Sequence, residues 1–177
     1  MNAHEPGFVR LALPREAHDI ATIQYGLMAD PAHPLHGLYE QADVSSLAEV
    51  WHRSITRPPL ASYRVLVATE HNAVIGMVAV GPSEDEDAGS DDGQVVEFMV
   101  SPPARSHGHG TRLVQAAVDT LRADGFTHAT WWLPSTADDL RGWLQEMGWG
   151  PDGVHATADG PGGALKLVRL HTDISEA

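Results

Sequence analysis

One loop of the sequence combines an arginine and two glycines between an apolar stretch and an amphipathic stretch. Arg105, Gly108 and Gly110 follow the strand-like residues 94–100 and precede a helical pattern that runs to about Asp124. The first N–H groups of a helix have no partner within the helix, and the helix dipole adds partial positive charge there. Glycines let the backbone approach a ligand closely, and an arginine supplies fixed charge. The spacing therefore predicts a phosphate-binding loop at a helix start.

This loop differs from two common phosphate-binding motifs. A P-loop has a lysine and then Ser or Thr after its second glycine, whereas Thr111 and Arg112 follow Gly110 here. The only lysine of the chain, Lys166, lies far away. The dinucleotide-binding fingerprint needs Gly or Ala three positions after the second glycine, where this chain has Leu113. The loop therefore belongs to neither motif.

Two histidines lie inside the same loop, on either side of Gly108. Protonated imidazoles of His107 and His109 would add positive charge against a bound phosphate. Histidines at this spacing also suit a metal ion, but no third ligand type lies nearby in the sequence. The sequence therefore predicts no metal site.

The composition limits the functions open to the chain. Its 177 residues, 42% of them hydrophobic, suffice for one domain with a full core. The absence of cysteine excludes thiolate catalysis, disulfides and Cys-ligated zinc. A net charge of −13 argues against a nucleic-acid partner and fits a cationic co-substrate such as an amine. Residues 1–6 lack signal-peptide features and no apolar run suits a membrane span, so we expect a cytoplasmic protein without a membrane partner.

Hydrophobic periodicity and turn residues predict an ordered series of elements around the loop. The series is strand, two helices, three strands, helix, strand, helix and two strands. Asp43 is the predicted N-cap of the second helix, and Ser135 or Thr136 that of the last helix. The acidic segment 83–93 has no apolar anchor and is predicted to be an exposed, mobile loop. The predicted ranges are 8–13, 17–28, 44–56, 63–69, 74–80, 94–100, 110–124, 127–133, 137–147, 149–157 and 164–170.

The loop and the order of elements together resemble the GNAT family of acyl-CoA N-acyltransferases. Residues that match the family's loop motif are Val100, Pro102, Arg105, Gly108, Gly110 and Leu113. The segment 143–149 also resembles the family's aromatic-x-x-x-x-Gly-aromatic ending. The resemblance implies an α/β fold: a mixed, mostly antiparallel sheet of about seven strands, flanked by four helices, with a splay between strands 4 and 5. The resemblance extends over about residues 8–171, the core of a single domain that is expected to comprise residues 1–177.

The same resemblance implies how an acyl donor is held. Acetyl-CoA would lie in the splay, and a backbone N–H near Met99 would polarise the thioester carbonyl. The pantetheine arm would pair with backbone groups of Phe98, Met99 and Val100, as an added strand does. The pyrophosphate would lie on the N–H groups of Ser106, His107, Gly108, His109, Gly110 and Thr111.

Glu97 is the one ionisable residue of the central strand and the candidate catalytic group. A protonated amine must lose a proton before it attacks a thioester, so one interpretation makes Glu97 the general base or an amine anchor. The other makes it a structural carboxylate, bonded to nearby backbone or to an arginine such as Arg10. Strand alternation puts Glu97 and Met99 on one face and Phe98 on the other, unless a bulge intervenes.

The acceptor is implied only by class: a small-molecule amine or a protein amine. By resemblance the loop that contains His36 and Tyr39 lines the acceptor pocket. Trp131 and Trp132 alternate faces on their strand, so one of them is expected to face the ligand gap, and Trp132 is the candidate substrate contact. Many family members have a tyrosine that protonates the leaving thiolate where this chain has Leu144, which has no proton to donate. A non-catalytic acyl-CoA-binding module is therefore the alternative function. Dimers are common for this fold, so a homodimer is one assembly that the resemblance allows.

Overall fold

The computed structural model describes residues 7–36, 42–160 and 162–176. Its elements follow the predicted order, and none of the helices in these ranges is long and apolar enough to cross a membrane. The strands are β1 (Phe8–Leu11), β2 (Arg64–Glu70), β3 (Ala73–Pro82), β4 (Asp92–Val100), β5 (His128–Pro134), β6 (Gly150–Gly160) and β7 (Gly163–Asp173). The helices are α1 (Ala17–Ala29), α2 (Val44–Thr56), α3 (His109–Ala123) and α4 (Asp138–Glu146), with short 3-10 turns at Pro14–Glu16 and Pro102–Ala104.

The seven strands form one mixed sheet in the order β1-β2-β3-β4-β5-β7-β6. Every neighbouring pair is antiparallel except β4 and β5, which are parallel. These two strands pair only from Asp92↔His128 to Val95↔Trp131. Both strands continue beyond that point without pairing with each other, so the sheet splays open between β4 and β5 as predicted.

Two hydrophobic cores cover the two faces of the sheet. On one face, the apolar side of α3 packs against the sheet, with Leu113, Ala117 and Leu121 at 0% exposure. On the other face, Ile20 of α1 and Trp51 of α2 pack against the sheet in a separate core. Burying each large aliphatic side chain contributes about 1.5–3 kcal/mol, so these stripes hold the helices to the sheet.

Local signals at the ends of elements are mostly as predicted. The side chain of Asp43 accepts a hydrogen bond from Ser46 N–H at 2.7 Å and starts α2. His71 and Asn72 adopt φ of 49° and 65°, which is the geometry of a two-residue hairpin turn. The predicted cap of α4 is wrong, since the N-cap is Ala137, whose side chain makes no capping hydrogen bond. Asp138 and Asp139 in that turn favour the positive helix end instead.

Charged contacts hold the acidic segment 83–93 to the sheet. Arg169 of β7 bonds Asp85 at 2.8 Å and Asp87 at 2.6 Å, and its side chain is only 8% exposed. Asp152 of β6 joins the same guanidinium at 2.6 Å. The segment lacks an apolar anchor in its sequence, but its ion pairs with Arg169 anchor it to the sheet. We call these four residues the Arg169 clamp.

Candidate functional site

A β-bulge shapes the strand that borders the splay. The pairing of β3 with β4 shifts between Ala79↔Glu97 and Val80↔Val95, which leaves Val96 as the extra residue. Val96 is accordingly 50% exposed. Val95 packs in the core beneath α3, whereas Met99 packs in the core beneath α1 and α2. The bulge therefore reverses the facing of the strand between its start and its end.

Beyond the bulge, β4 has one paired edge and one unpaired edge. Its pairing with β3 continues to Gly76↔Val100, while its pairing with β5 stops at Val95. Backbone groups of β4 on the β5 side, over residues 96–100, therefore have no sheet partner. An extended ligand can add to such an edge as a strand does. This edge includes the residues predicted to bind pantetheine.

The loop after β4 turns sharply into α3. Ser106 and Gly108 have φ of 65° and 82°, so the backbone is left-handed on both sides of His107. The first hydrogen bond of α3 runs from Arg112 N–H to Gly108 C=O at 3.2 Å. The preceding N–H groups lie at the open, positive end of the helix. This geometry is that of an anion-binding loop.

Gly110 has a packing role that the sequence did not reveal. A Cβ built there would lie 3.3 Å from Cη2 of Trp143 and 3.5 Å from Cζ of Phe98. The Phe98 ring also contacts Trp131, with centroids 5.2 Å apart, and Trp143, with centroids 6.0 Å apart. Three aromatic side chains thus line the angle between the splay and the start of α3, and the close approach of Trp143 favours glycine at position 110.

Arg105 is exposed and follows the short 3-10 turn at Pro102–Ala104. The pKa of the His33 imidazole is lowered, first by burial and then by the positive charge of Arg105. His33, which follows α1, therefore lies near Arg105 of the predicted phosphate loop. His36, one of the predicted acceptor contacts, is exposed, and its Nδ1 lies 2.8 Å from the carbonyl oxygen of Met28. Tyr39, the other contact predicted in this segment, lies outside the described residues.

Glu97 is half-buried on the face of the sheet that α1 and α2 cover. It is paired with Ala79, and residues directly opposite each other in a ladder share a face. Burial raises the pKa of its carboxyl group to about 7, partly offset by a hydrogen bond from Phe98 N–H at 3.2 Å. Arg10 is bound to Glu16 at 2.6 Å, so it is not the partner of Glu97. Of the two structural options, the described residues show the backbone contact, with Phe98 N–H.

Trp132 faces the same side of the sheet as Glu97, because its neighbour Trp131 is buried in the opposite core. The indole N–H of Trp132 donates to Asp85 at 2.9 Å, and the Arg169 guanidinium lies 5.6 Å from the ring centroid. Trp132, the predicted acceptor contact, therefore packs against the Arg169 clamp. Leu144, at the position where the resemblance expects tyrosine, is fully buried in the core beneath α3 and α4.

Glu70, at the end of β2, joins the two histidines of the phosphate loop. Ligand atoms of Glu70, His107 and His109 all lie within 4.8 Å of one another. No third ligand type lies near the two histidines in the sequence. In the folded protein, however, the Glu70 carboxylate lies beside them, so the premise of the sequence prediction is wrong. Nothing in the sequence signals this contact, because Glu70 precedes the loop by more than 30 residues.

Comparisons with known proteins agree with this geometry. Structures with a similar fold include an N-acetyltransferase from Staphylococcus aureus Mu50 (TM-score 0.78, 16% identity, covering 97% of this chain and 100% of that one). A putative acetyltransferase from Salmonella typhimurium, solved with its cofactor acetyl-CoA, has a TM-score of 0.73 and 19% identity (97% and 95% covered). A ribosomal-protein-alanine N-acetyltransferase from Brucella melitensis has a TM-score of 0.75 and 16% identity (94% and 99% covered).

At these identities the structural likeness shows the fold alone. No curated protein matches the sequence. Residues 26–149, more than half of the chain, match the family model described as the Acetyltransferase (GNAT) family. The parallel, splayed β4–β5 pair and the left-handed loop before α3 accord with that match. The chain therefore belongs to the GNAT family of acetyltransferases.

Proposed function

We propose that the protein is an N-acetyltransferase that transfers an acetyl group from acetyl-CoA to an amine by direct attack in a ternary complex. One observation carries this proposal: an unpaired backbone edge of β4 leads directly into an anion-binding helix start. Such an arrangement fits a ligand with an extended amide-containing arm and a pyrophosphate. Acetyl-CoA, when bound, supplies its acetyl group as a thioester that an amine can attack.

The donor is held mainly by backbone groups in this proposal. The edge of Phe98, Met99 and Val100 binds the pantetheine arm, and an N–H near Met99 polarises the thioester carbonyl. The N–H groups of residues 106–111 hold the pyrophosphate, and the exposed Arg105 adds a charged donor. Three features support these roles: the unpaired edge, the left-handed φ values and the exposure of Arg105.

Glu97 serves as the general base for the acceptor. Its raised pKa, about 7, suits proton removal from an ammonium near neutral pH. It lies on the face of the sheet that α1 and α2 cover, and Trp132 faces the same side. The acceptor is a small-molecule or protein amine, consistent with the net charge of −13. We propose a single acyltransferase domain with a cytoplasmic location and no nucleic-acid or membrane partner. A homodimer is the assembly that we propose for it.

A non-catalytic acyl-CoA-binding module is the second candidate. The observation that favours it is Leu144, which is apolar and fully buried where a proton donor is expected. Thiol release from acetyl-CoA, measured across a panel of amines, separates the two candidates. Release above the rate without protein supports the enzyme, and tight binding without release supports the module.

Arg105→Ala tests how the donor is held. We expect acetyl-CoA to bind about tenfold or more weakly, since a hydrogen bond to a charged group contributes about 1.5–3 kcal/mol. Arg57→Ala, at another exposed arginine after α2, is the matched control and should bind normally. Pantetheine derivatives without phosphate should lose little affinity for the Arg105 variant. Equal losses for both ligands would show that Arg105 does not contact the pyrophosphate.

A further inference from the structure

Three side chains of the metal-binding types meet behind the phosphate loop. Nε2 of His109 lies 3.9 Å from Oε1 of Glu70, and the rings of His107 and His109 have centroids 6.3 Å apart. The His109 side chain is 3% exposed and that of Glu70 is 20% exposed, while His107 is exposed to solvent. The three residues thus form a cup with a buried wall and an open side.

The backbone builds this cup from separate parts of the chain. Glu70 ends β2, immediately before the tight turn at His71 and Asn72. His107 stands between two left-handed residues, and His109 begins α3. Gly7 covers the His109 ring so closely that a Cβ there would lie 2.7 Å from Cε1. The His109 imidazole is therefore held in place by its surroundings.

We propose that Glu70, His107 and His109 form a binding site for a divalent transition metal of the zinc class. Two imidazole nitrogens and one carboxylate oxygen are a ligand set typical of zinc sites with an open fourth position. In a tetrahedral site with bonds of about 2.0–2.1 Å, ligand atoms lie roughly 3.4 Å apart. Small movements of the accessible His107 and Glu70 side chains close the observed spacing to that value.

Arg112 sets a condition on this site. Its Nη1 lies 3.3 Å from Nδ1 of His109, a contact in which the guanidinium donates to an unprotonated nitrogen. When Nε2 binds a metal, Nδ1 carries the proton, so this contact must break. The Arg112 side chain is exposed and can turn into solvent. The arginine therefore weakens the site, through its proton-donor geometry and through its positive charge.

Titration of the metal-free full-length protein with zinc chloride, without acetyl-CoA, tests the proposal. Calorimetry should show one site per chain, and Glu70→Gln and His107→Ala should each weaken zinc binding at least tenfold. His155→Ala, at an exposed histidine of β6, is the matched control and should bind zinc as the wild type does. Arg112→Gln should bind more tightly than the wild type.

Either of two results would overturn the assignment. One is zinc binding that Glu70→Gln and His107→Ala leave unchanged, which would assign it to other histidines of the chain. The other is weaker binding by Arg112→Gln, which would exclude Nε2 of His109 as a ligand. Circular dichroism of each variant at equal concentration verifies folding. Because the titration omits acetyl-CoA, its outcome is independent of the proposed acetyltransferase activity.

Discussion

Replacing Glu97 by glutamine isolates the effect of one buried charge. Glutamine keeps the size of the side chain and the oxygen that accepts from Phe98 N–H. It removes only the ionisation, whose pKa burial raises from 4.5 to about 7. The variant therefore tests two consequences of the same burial: the pH dependence of stability and the availability of a base for catalysis.

The effect on stability has a definite sign. A raised pKa means that the folded protein holds the Glu97 proton more tightly than the unfolded chain does. Stability therefore falls as pH rises from about 4.5 to about 7, and the loss is complete above that window. One pKa unit corresponds to about 1.4 kcal/mol, so ionised Glu97 costs up to about 3 kcal/mol. Because the residue is half-buried, solvent screening makes this an upper value.

Urea unfolding at about pH 4 and about pH 8 measures that cost. The stability of Glu97→Gln relative to wild type should increase by up to about 3 kcal/mol between the two pH values. Glu86→Gln, at an exposed glutamate, is the control and should show no such change. If the two variants respond alike to pH, the account of Glu97 as a carboxyl group destabilised by burial is refuted.

Kinetics of the same variant test the catalytic role. With a general base of pKa about 7, wild-type kcat/KM rises with pH and levels off above neutrality. Glu97→Gln should lower kcat by about 100-fold or more and abolish that rise. An unchanged rate and pH profile would leave Glu97 with the structural role alone.

Further changes test other parts of the structure. Gly108→Ala should lower the free energy of unfolding in urea by about 1 kcal/mol, because φ is 82° at this position. Calorimetry should also show weaker acetyl-CoA binding by this variant. The control Gly142→Ala, in α4 with open space around it, should not destabilise the protein. Arg169→Met should cost about 3 kcal/mol by leaving the clamp carboxylates without their cation, whereas Arg15→Met, at an exposed arginine, should change stability little. Zinc should tighten acetyl-CoA binding by the wild type and not by His107→Ala, since a divalent charge behind the loop favours a bound pyrophosphate.

Sequence reasoning succeeded where the determining interactions are local. The amphipathic pattern of α3 and the Asp43 cap of α2 depend on residues a few positions apart. The left-handed loop before α3 also has a local signature, because Arg105 and Gly108 stand at fixed offsets from a strand end. These features specify the order of elements and the family.

Contacts between distant segments were not predictable from pattern. Glu70 meets the loop histidines, and Arg169 meets Asp85, only after the sheet has assembled. The bulge at Val96 is also hidden, because Val95 and Val96 are both apolar and alternation assigns no extra residue. Strand alternation correctly placed Glu97 on the same face as Met99. It could not show that Arg10 is bound to Glu16 and is therefore not the partner of Glu97.

The short pairing of β4 with β5 divides the sheet into two parts, β1–β4 and β5–β7, which we call its wings. Four register pairs join the wings directly. On one face a continuous apolar core spans both wings, and on the other the Arg169 clamp ties the segment before β4 to β6 and β7. Where β4 and β5 no longer pair, the shared core and the ion pairs of Arg169 therefore hold the two wings together. The gap between the strands is thus bounded by one arginine as well as by strand hydrogen bonds.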